Sequence, residues 1–319
     1  MGRYRSFNEY LRQKYGKRVQ KITIDAAFTC PNRDGRLSFG GCIYCDVFGS
    51  GSGASLRGES IQQQIKRGAE VAHRRYKTDY FIVYFQAFTN TYAPVAYLRS
   101  VYSEAVDEAS KYGKVVGLSI GTRPDCVPDE VLDVLSSYHG QMEVWVELGV
   151  QSVHYRTLKL INRGHGVAEI IDGILRAKAR GLKVCAHVIF GLPMETQEEM
   201  LETVRSISVL GIDAIKIHPL YVVEGSVLHE WVSKGKYEPI SMEEFVDTVV
   251  KAISILPPSV IIQRLTGEAP SGMLVAPQWT SNKQLVRKAI EDELVRQDMY
   301  QGKNFKVGLT VHELKPFSS

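Results

Sequence analysis

MEVWVELGVQSVHYRTLKLINRGHGVAEIIDGILRAKARGLKVCAHVIFGLP, residues 142–193, is the stretch on which the fold turns. It opens with an apolar run, MEVWVELGV (142–150), and closes with another, LKVCAHVIFGLP (182–193). Between them VAEIIDGILRAKARG (167–181) repeats apolar residues at helical spacing and stops on a glycine. Two strands joined through a helix pair in parallel. Runs that are apolar throughout, instead of alternating, belong to strands covered on both faces.

The same rhythm continues outward. Upstream lie the strands KITIDAA (21–27), DYFIVYFQ (79–86) and KVVGLSIG (114–121), separated by helical patterns at 61–76, 94–112 and 128–138. Downstream come the helix TQEEMLETVRSISVLG (196–211), with Thr196 as its expected N-cap, and the strand DAIKIHPLYVV (213–223). Six strand–helix units predict an α/β fold, a partial (β/α)6 TIM-like barrel. Ligands gather at the C-terminal ends of strands in such folds. Cys30, Gln86, Gly121, Gln151, Gly191 and His218 fall at those ends.

After about residue 225 the rhythm changes to a helix (241–256), a short strand (259–265) and an amphipathic helix (282–300). The expected division is a basic N-terminal arm (1–20), a barrel core (21–225) with a cysteine loop at 28–58, a C-terminal α/β extension (226–302) and a flexible tail (303–319). No run of about 18 apolar residues predicts a membrane span. The first 20 residues lack the apolar core of a secretory signal, so the cytoplasm is the expected location. Net charge is +4, yet residues 1–21 carry seven basic side chains (Arg3, Arg5, Arg12, Lys14, Lys17, Arg18, Lys21) against Glu9. A second basic cluster is Lys66, Arg67, Arg74, Arg75 and Lys77. Such patches suit a phosphate backbone, or are solvated helix faces.

Five cysteines, an odd number, argue against a disulfide framework and for metal or redox chemistry. Three form C-x11-C-x2-C: Cys30, Cys42 and Cys45, in a glycine-rich loop. Three thiolates can serve zinc, with a fourth ligand from His187, His218 or Cys126, or a [4Fe-4S] cluster with one iron left open. The spacing alone leaves both possible.

The surrounding motifs carry a resemblance. Cys30–Cys45, with Tyr44 before the last cysteine, resembles the cluster loop of radical S-adenosylmethionine (SAM) enzymes. LSIGTRPD (118–125) is similar to the strand-3 segment of the Elongator catalytic-subunit branch. VELGVQSVHYRTLKLINRGH (146–165) resembles the strand-4 segment shared with that branch and with oxygen-independent coproporphyrinogen oxidases, and HVIFGLPMET (187–196) the "GLPGQT" segment. Over residues 3–302 the chain resembles the YhcC/YtqA-type radical SAM subfamily.

The resemblance implies a [4Fe-4S] cluster on Cys30, Cys42 and Cys45, with SAM on the open iron. It implies SAM contacts from Gln151, Arg163 and His187, with Ile189 and Gly191 beside the adenine. Relatives carry a "GGE" segment after strand 2. Here that place reads Gln86-Ala87-Phe88-Thr89-Asn90-Thr91, whose backbone, with Thr89 or Asn90, takes over the contact. Gly121 stands where the Elongator-type pattern has glutamate, and Glu147 is a candidate substitute. Candidate substrate residues at strand ends are Tyr84, Tyr92, Arg123, Asp125, His218, Tyr221 and Arg264. The implied activity is reductive cleavage of SAM to a 5′-deoxyadenosyl radical, acting on the C5 side chain of a tRNA wobble uridine, with flavodoxin or ferredoxin as reductant. Two rival readings are a radical SAM enzyme of small molecules and a zinc-stabilised RNA-binding protein without redox chemistry.

Overall fold

Seven parallel strands in the order of the chain form one sheet: β1 (Gln20–Ile24), β2 (Tyr80–Phe85), β3 (Lys114–Thr122), β4 (Glu143–Gln151), β5 (Lys183–Phe190), β6 (Ala214–Pro219) and, beyond a two-residue strand β7 (Val222–Val223), β8 (Ile261–Arg264). A computed structural model of the chain describes residues 2–49, 51–267 and 269–306. The expected flexible tail lies outside the described residues from 307 onward. The central strands β2 to β5 are buried on both faces, as their largely apolar runs require.

The sheet curls into a half-barrel. Seven strands laid flat at about 4.8 Å spacing would hold the first and last roughly 29 Å apart. Yet Lys21 on β1 reaches Gln263 on β8 at 2.9 Å, and Lys216 on β6 reaches Tyr84 on β2 at 3.2 Å. Only a curved sheet brings those side chains together across its concave face.

α1 (Phe7–Tyr15) precedes the sheet, and α2 (Ile61–Val71), α3 (Val95–Ser110), α4 (Asp129–Ser136), α5 (Tyr155–Leu160), α6 (Val167–Ala179) and α7 (Gln197–Val209) cover the convex face. Their apolar stripes and the outer side chains of the strands form one continuous core. Thr196 caps α7 as expected, its hydroxyl accepting from Glu199 N at 3.3 Å. The helix expected over 61–76 stays α-helical to Val71 and ends in a π-helical turn, Ala72–Tyr76. The hydrophobic pattern did not mark α5, which is only six residues long.

The segment read as a basic N-terminal arm is a structural plug. Phe7 and Tyr10 of α1 pack edge-on against Trp145, 5.5 and 6.3 Å between ring centroids, and close the N-terminal end of the barrel. Ser6 bridges to Ile262, and Arg3 pairs with Asp298 at 3.1 Å, tying the start of the chain to its end. Lys14 pairs with Glu143, Lys17 with Asp79 and Lys21 with Glu147. Three of the arm's six basic side chains, Arg3, Lys14 and Lys17, are therefore paired within the chain, while Lys21 reaches inside the barrel to Glu147.

The last third adds α8 (Val227–Ser233), α9 (Met242–Ile255), β8, β9 (Leu274–Ala276) and α10 (Lys283–Arg296). It supplies the sheet's seventh strand. α9 docks on α7, where Gln197 donates to Asp247 at 2.9 Å and accepts from Lys251 at 2.6 Å. No helix among the described residues is long and apolar enough to cross a membrane.

Candidate active site at the mouth of the half-barrel

The long loop after β1 begins with Asp25, whose backbone is held at both ends by Gln64: Asp25 N donates to Oε1 at 2.8 Å and Nε2 donates to Asp25 O at 2.9 Å. Two tight turns then fold the cysteines inward, with Arg33 N donating to Cys30 O at 2.8 Å and Cys45 N to Cys42 O at 2.9 Å. The segment after α5 staples this loop. Ile43 N donates to Ile161 O at 3.1 Å, Asn162 Nδ2 to Gly41 O at 2.8 Å and Asn32 Nδ2 to Asn162 O at 2.5 Å.

Cys30, Cys42 and Cys45 share the wall of one cavity at the C-terminal ends of the strands, with about 1280 Å³ of space including its open mouth. Two guanidinium groups face the sulfurs. Arg163 Nη1 lies 3.7 Å from Cys42 Sγ and Arg33 Nη1 3.5 Å from Cys45 Sγ. Burial and neighbouring Cys42 push the free Cys45 thiol up to about 12. Among the described residues no three His, Cys, Asp or Glu side chains converge on a single ion. A [4Fe-4S] cluster suits the donor set: three soft thiol ligands, cationic N–H donors at two of them, and open space in front. One further sign of a missing partner is Arg163, buried, whose Nε meets no acceptor.

Of the other residues expected at the site, Gln86, Thr89, Gly121, Gln151, Arg163, His187 and Ile189 line this cavity. Gln151 adopts a left-handed φ of +71°. Gly149 beside it leaves room that a Cβ would fill, 2.6 Å from Arg163 Nη2 and 2.9 Å from Gln151 Nε2. Three expected residues lie elsewhere. Ala87 packs beneath Gly51 of the cysteine loop. Asn90 ties the loop to β3 by donating to Gly121 O at 2.7 Å, though its Oδ1 has no partner. Gly191 turns the chain against Ile240 and borders a neighbouring cavity. Among the substrate candidates, Tyr84, Arg123, His218, Tyr221 and Arg264 line the main cavity, whereas Tyr92 and Asp125 do not. Arg123 is held by a bidentate pair with Asp125, at 2.9 and 2.8 Å.

Glu147 sits on the cavity floor with both oxygens engaged. Oε1 accepts from Lys21 at 2.6 Å and Ser119 at 2.5 Å; Oε2 accepts from His187 at 2.9 Å and from Lys216. Although burial opposes ionisation, Lys21, Lys216 and His187 together hold the Glu147 carboxyl well below its usual range. Burial brings Lys216 down to about 8 against the pull of Glu147. Burial, with Lys216 beside it, brings His187 down to about 4. His218 donates to Thr266 O at 3.1 Å and is also pushed well down, by burial and then Arg264. Sequence reasoning missed Lys216, although KIH within an apolar strand puts Lys216 and His218 on one face. It also missed Arg33, for which nothing local in the sequence gives a signal.

Comparison with known proteins agrees with this geometry. Residues 30–207 match the model of the Radical SAM superfamily and residues 212–296 that of the Radical_SAM C-terminal domain. The chain is 40% identical over 306 residues to protein YtqA of Bacillus subtilis, covering 95% of this chain and 93% of that one. It is 33% identical over 199 residues to the tRNA uridine(34) acetyltransferase of Methanocaldococcus infernus, covering 61% of this chain and 36% of that one. The solved structure of archaeal M. infernus Elp3 with an N-terminal deletion superposes with a TM-score of 0.69 at 22% identity, covering 89% of this chain and 64% of that one.

Proposed function

The chain belongs to the radical SAM superfamily, and from that premise we propose that it cleaves SAM reductively at a [4Fe-4S] cluster held by Cys30, Cys42 and Cys45, to modify the C5 side chain of a tRNA wobble uridine. When bound, the cluster supplies the electron that splits the sulfonium of SAM, giving methionine and a 5′-deoxyadenosyl radical that takes a hydrogen atom from substrate. The observation that carries the reading is the cysteine triad on the wall of a cavity at the strand ends, with Arg163 buried behind it.

This chain's residues have distinct parts in that reading. Arg163 offers the SAM carboxylate a fixed guanidinium, the geometry that suits a bidentate partner. Gln151 and Thr89 present polar groups to the ribose and amino group, and Ile189 an apolar face to the adenine. Gly121 and Gly149 keep side chains out of the space where SAM lies. Glu147 is spent on Lys21, Lys216, Ser119 and His187, so it braces the floor of the site and leaves SAM to others. Tyr84, Lys216, His218, Tyr221 and Arg264 form the wall that meets substrate. The tRNA part of the reading is supported by likeness to proteins named tRNA uridine(34) acetyltransferase.

One observation favours a second reading, a small-molecule substrate. Arg3, Lys14 and Lys17 of the basic N-terminal segment are paired within the chain, with Asp298, Glu143 and Asp79, none of which lines the cavity. Nucleoside mass spectrometry of tRNA from cells lacking this protein separates the two. Loss of one wobble modification with accumulation of its precursor is expected. An unchanged nucleoside profile would move the substrate to small molecules.

A further inference from the structure

Arg33 lies three residues after Cys30 and is held on three sides. Its Nη1 donates to Asp46 O at 2.7 Å, its guanidinium lies over the Phe88 ring at 5.3 Å, and its stem packs where Gly41 has no side chain, Cγ lying 3.1 Å from where a Cβ would sit. The same Nη1 points at Cys45 Sγ, 3.5 Å away. No carboxylate forms an ion pair with Arg33 among the described residues, in contrast to Arg123, whose charge Asp125 neutralises. A guanidinium with an N–H donor is thus fixed at one cysteine sulfur, where its pull outweighs the opposing carboxylate of Asp46, in a wall that Cys45 and Phe88 share.

Charge and hydrogen bonds at the ligand sulfurs are among the terms that set the potential of an iron–sulfur cluster, because they stabilise the added electron. We propose that Arg33 is a positioning residue that orients the Cys45 thiolate and makes the bound cluster easier to reduce. Arg163, buried against Cys42, contributes in the same direction from the other side. The inference rests on the cluster reading above.

The test loads wild type, Arg33→Gln and Arg33→Lys anaerobically with iron and sulfide, measures iron per chain, and follows the reduced cluster by electron paramagnetic resonance at poised potentials. Wild type must first hold four irons; if it does not, the cluster reading and this inference fall together. Arg33→Gln is expected to keep its iron but to show about a tenfold lower ratio of reduced to oxidised cluster at a given potential, ~59 mV for a one-electron couple. Arg33→Lys, which keeps the charge without the planar fork, is expected to recover at least half of that shift. A fully loaded Arg33→Gln protein with the wild-type ratio overturns the proposal, as does a lysine variant that recovers nothing. If Arg33→Gln holds no iron, Phe88→Leu decides. It leaves the charge but removes the ring beneath it, so a smaller shift in the same direction supports the role and an unshifted potential overturns it.

Discussion

Replacing Glu147 with glutamine removes the one negative charge on a floor where Lys21, Lys216 and His187 converge. Breaking a buried ion pair by deleting one partner typically costs about 3–5 kcal/mol, because the other charge is left uncompensated. The structure sets a ceiling on that cost. Lys216 is already down at about 8, and without Glu147 it folds neutral. Shedding its proton at pH 7, from a free lysine value near 10.4, costs about 1.36 kcal/mol per unit, roughly 5 kcal/mol in all. At about 2.1 cal/mol/K per residue, a chain of 319 residues melts with an entropy of ~0.67 kcal/mol/K, so Tm should fall by roughly 4–8 °C. The pH dependence carries the mechanism. The variant's Lys216 binds fewer protons than the unfolded chain from a lower pH than wild type's, so the variant gains stability earlier as pH rises. The gap in Tm should narrow up to about pH 8, the wild-type value of Lys216, and stay constant above it. Circular dichroism melts from pH 6 to 9 measure both. A loss under about 1 kcal/mol, or a gap indifferent to pH, would refute the account of the floor.

Other outcomes follow from the same geometry. Tm of the wild-type chain should fall as pH drops from 6.5 towards 4: His187 and His218 are buried with folded values below 6.5, so their contribution is complete above that value and lost as the unfolded chain takes up protons below it; a flat Tm over that range contradicts the burial argument. Gly149→Ala should fold normally but weaken SAM binding about tenfold in equilibrium dialysis, because its Cβ displaces the ends of Arg163 and Gln151; undiminished affinity would remove both from the SAM site. Lys14→Ala and Lys17→Ala should each cost up to about 1 kcal/mol and leave tRNA affinity within about twofold in filter binding, since their charges pair with Glu143 and Asp79. A large loss of tRNA affinity would return the N-terminal segment to a role in recognition.

The parallel sheet was legible because its central strands are largely apolar runs and helices such as α2 and α7 carry their own caps, Ser60 and Thr196. The cavity-lining positions at strand ends followed from that sheet, which is why Gln151, His187 and Ile189 line the cavity. Basic residues in the first segment were legible as charge, but charge alone does not reveal its partners. Glu143, Asp79 and Asp298 lie 62 or more residues away in sequence. Gly191 was read as bordering a ligand, yet its positive φ serves the turn packed on Ile240, since both uses need the same absence of a Cβ. Arg33 and Lys216 acquire their surroundings through contacts between separate elements, with Phe88 and Asp46 for one and with Tyr84 and Glu147 for the other.

The account stands most directly on what the three cysteines hold. The protein, reconstituted anaerobically with iron and sulfide and given SAM and dithionite, should bind four irons per chain and release 5′-deoxyadenosine, detected by liquid chromatography with mass spectrometry. Cys30→Ala, Cys42→Ala and Cys45→Ala should each abolish the product. A colourless protein that retains zinc and forms no 5′-deoxyadenosine would contradict it.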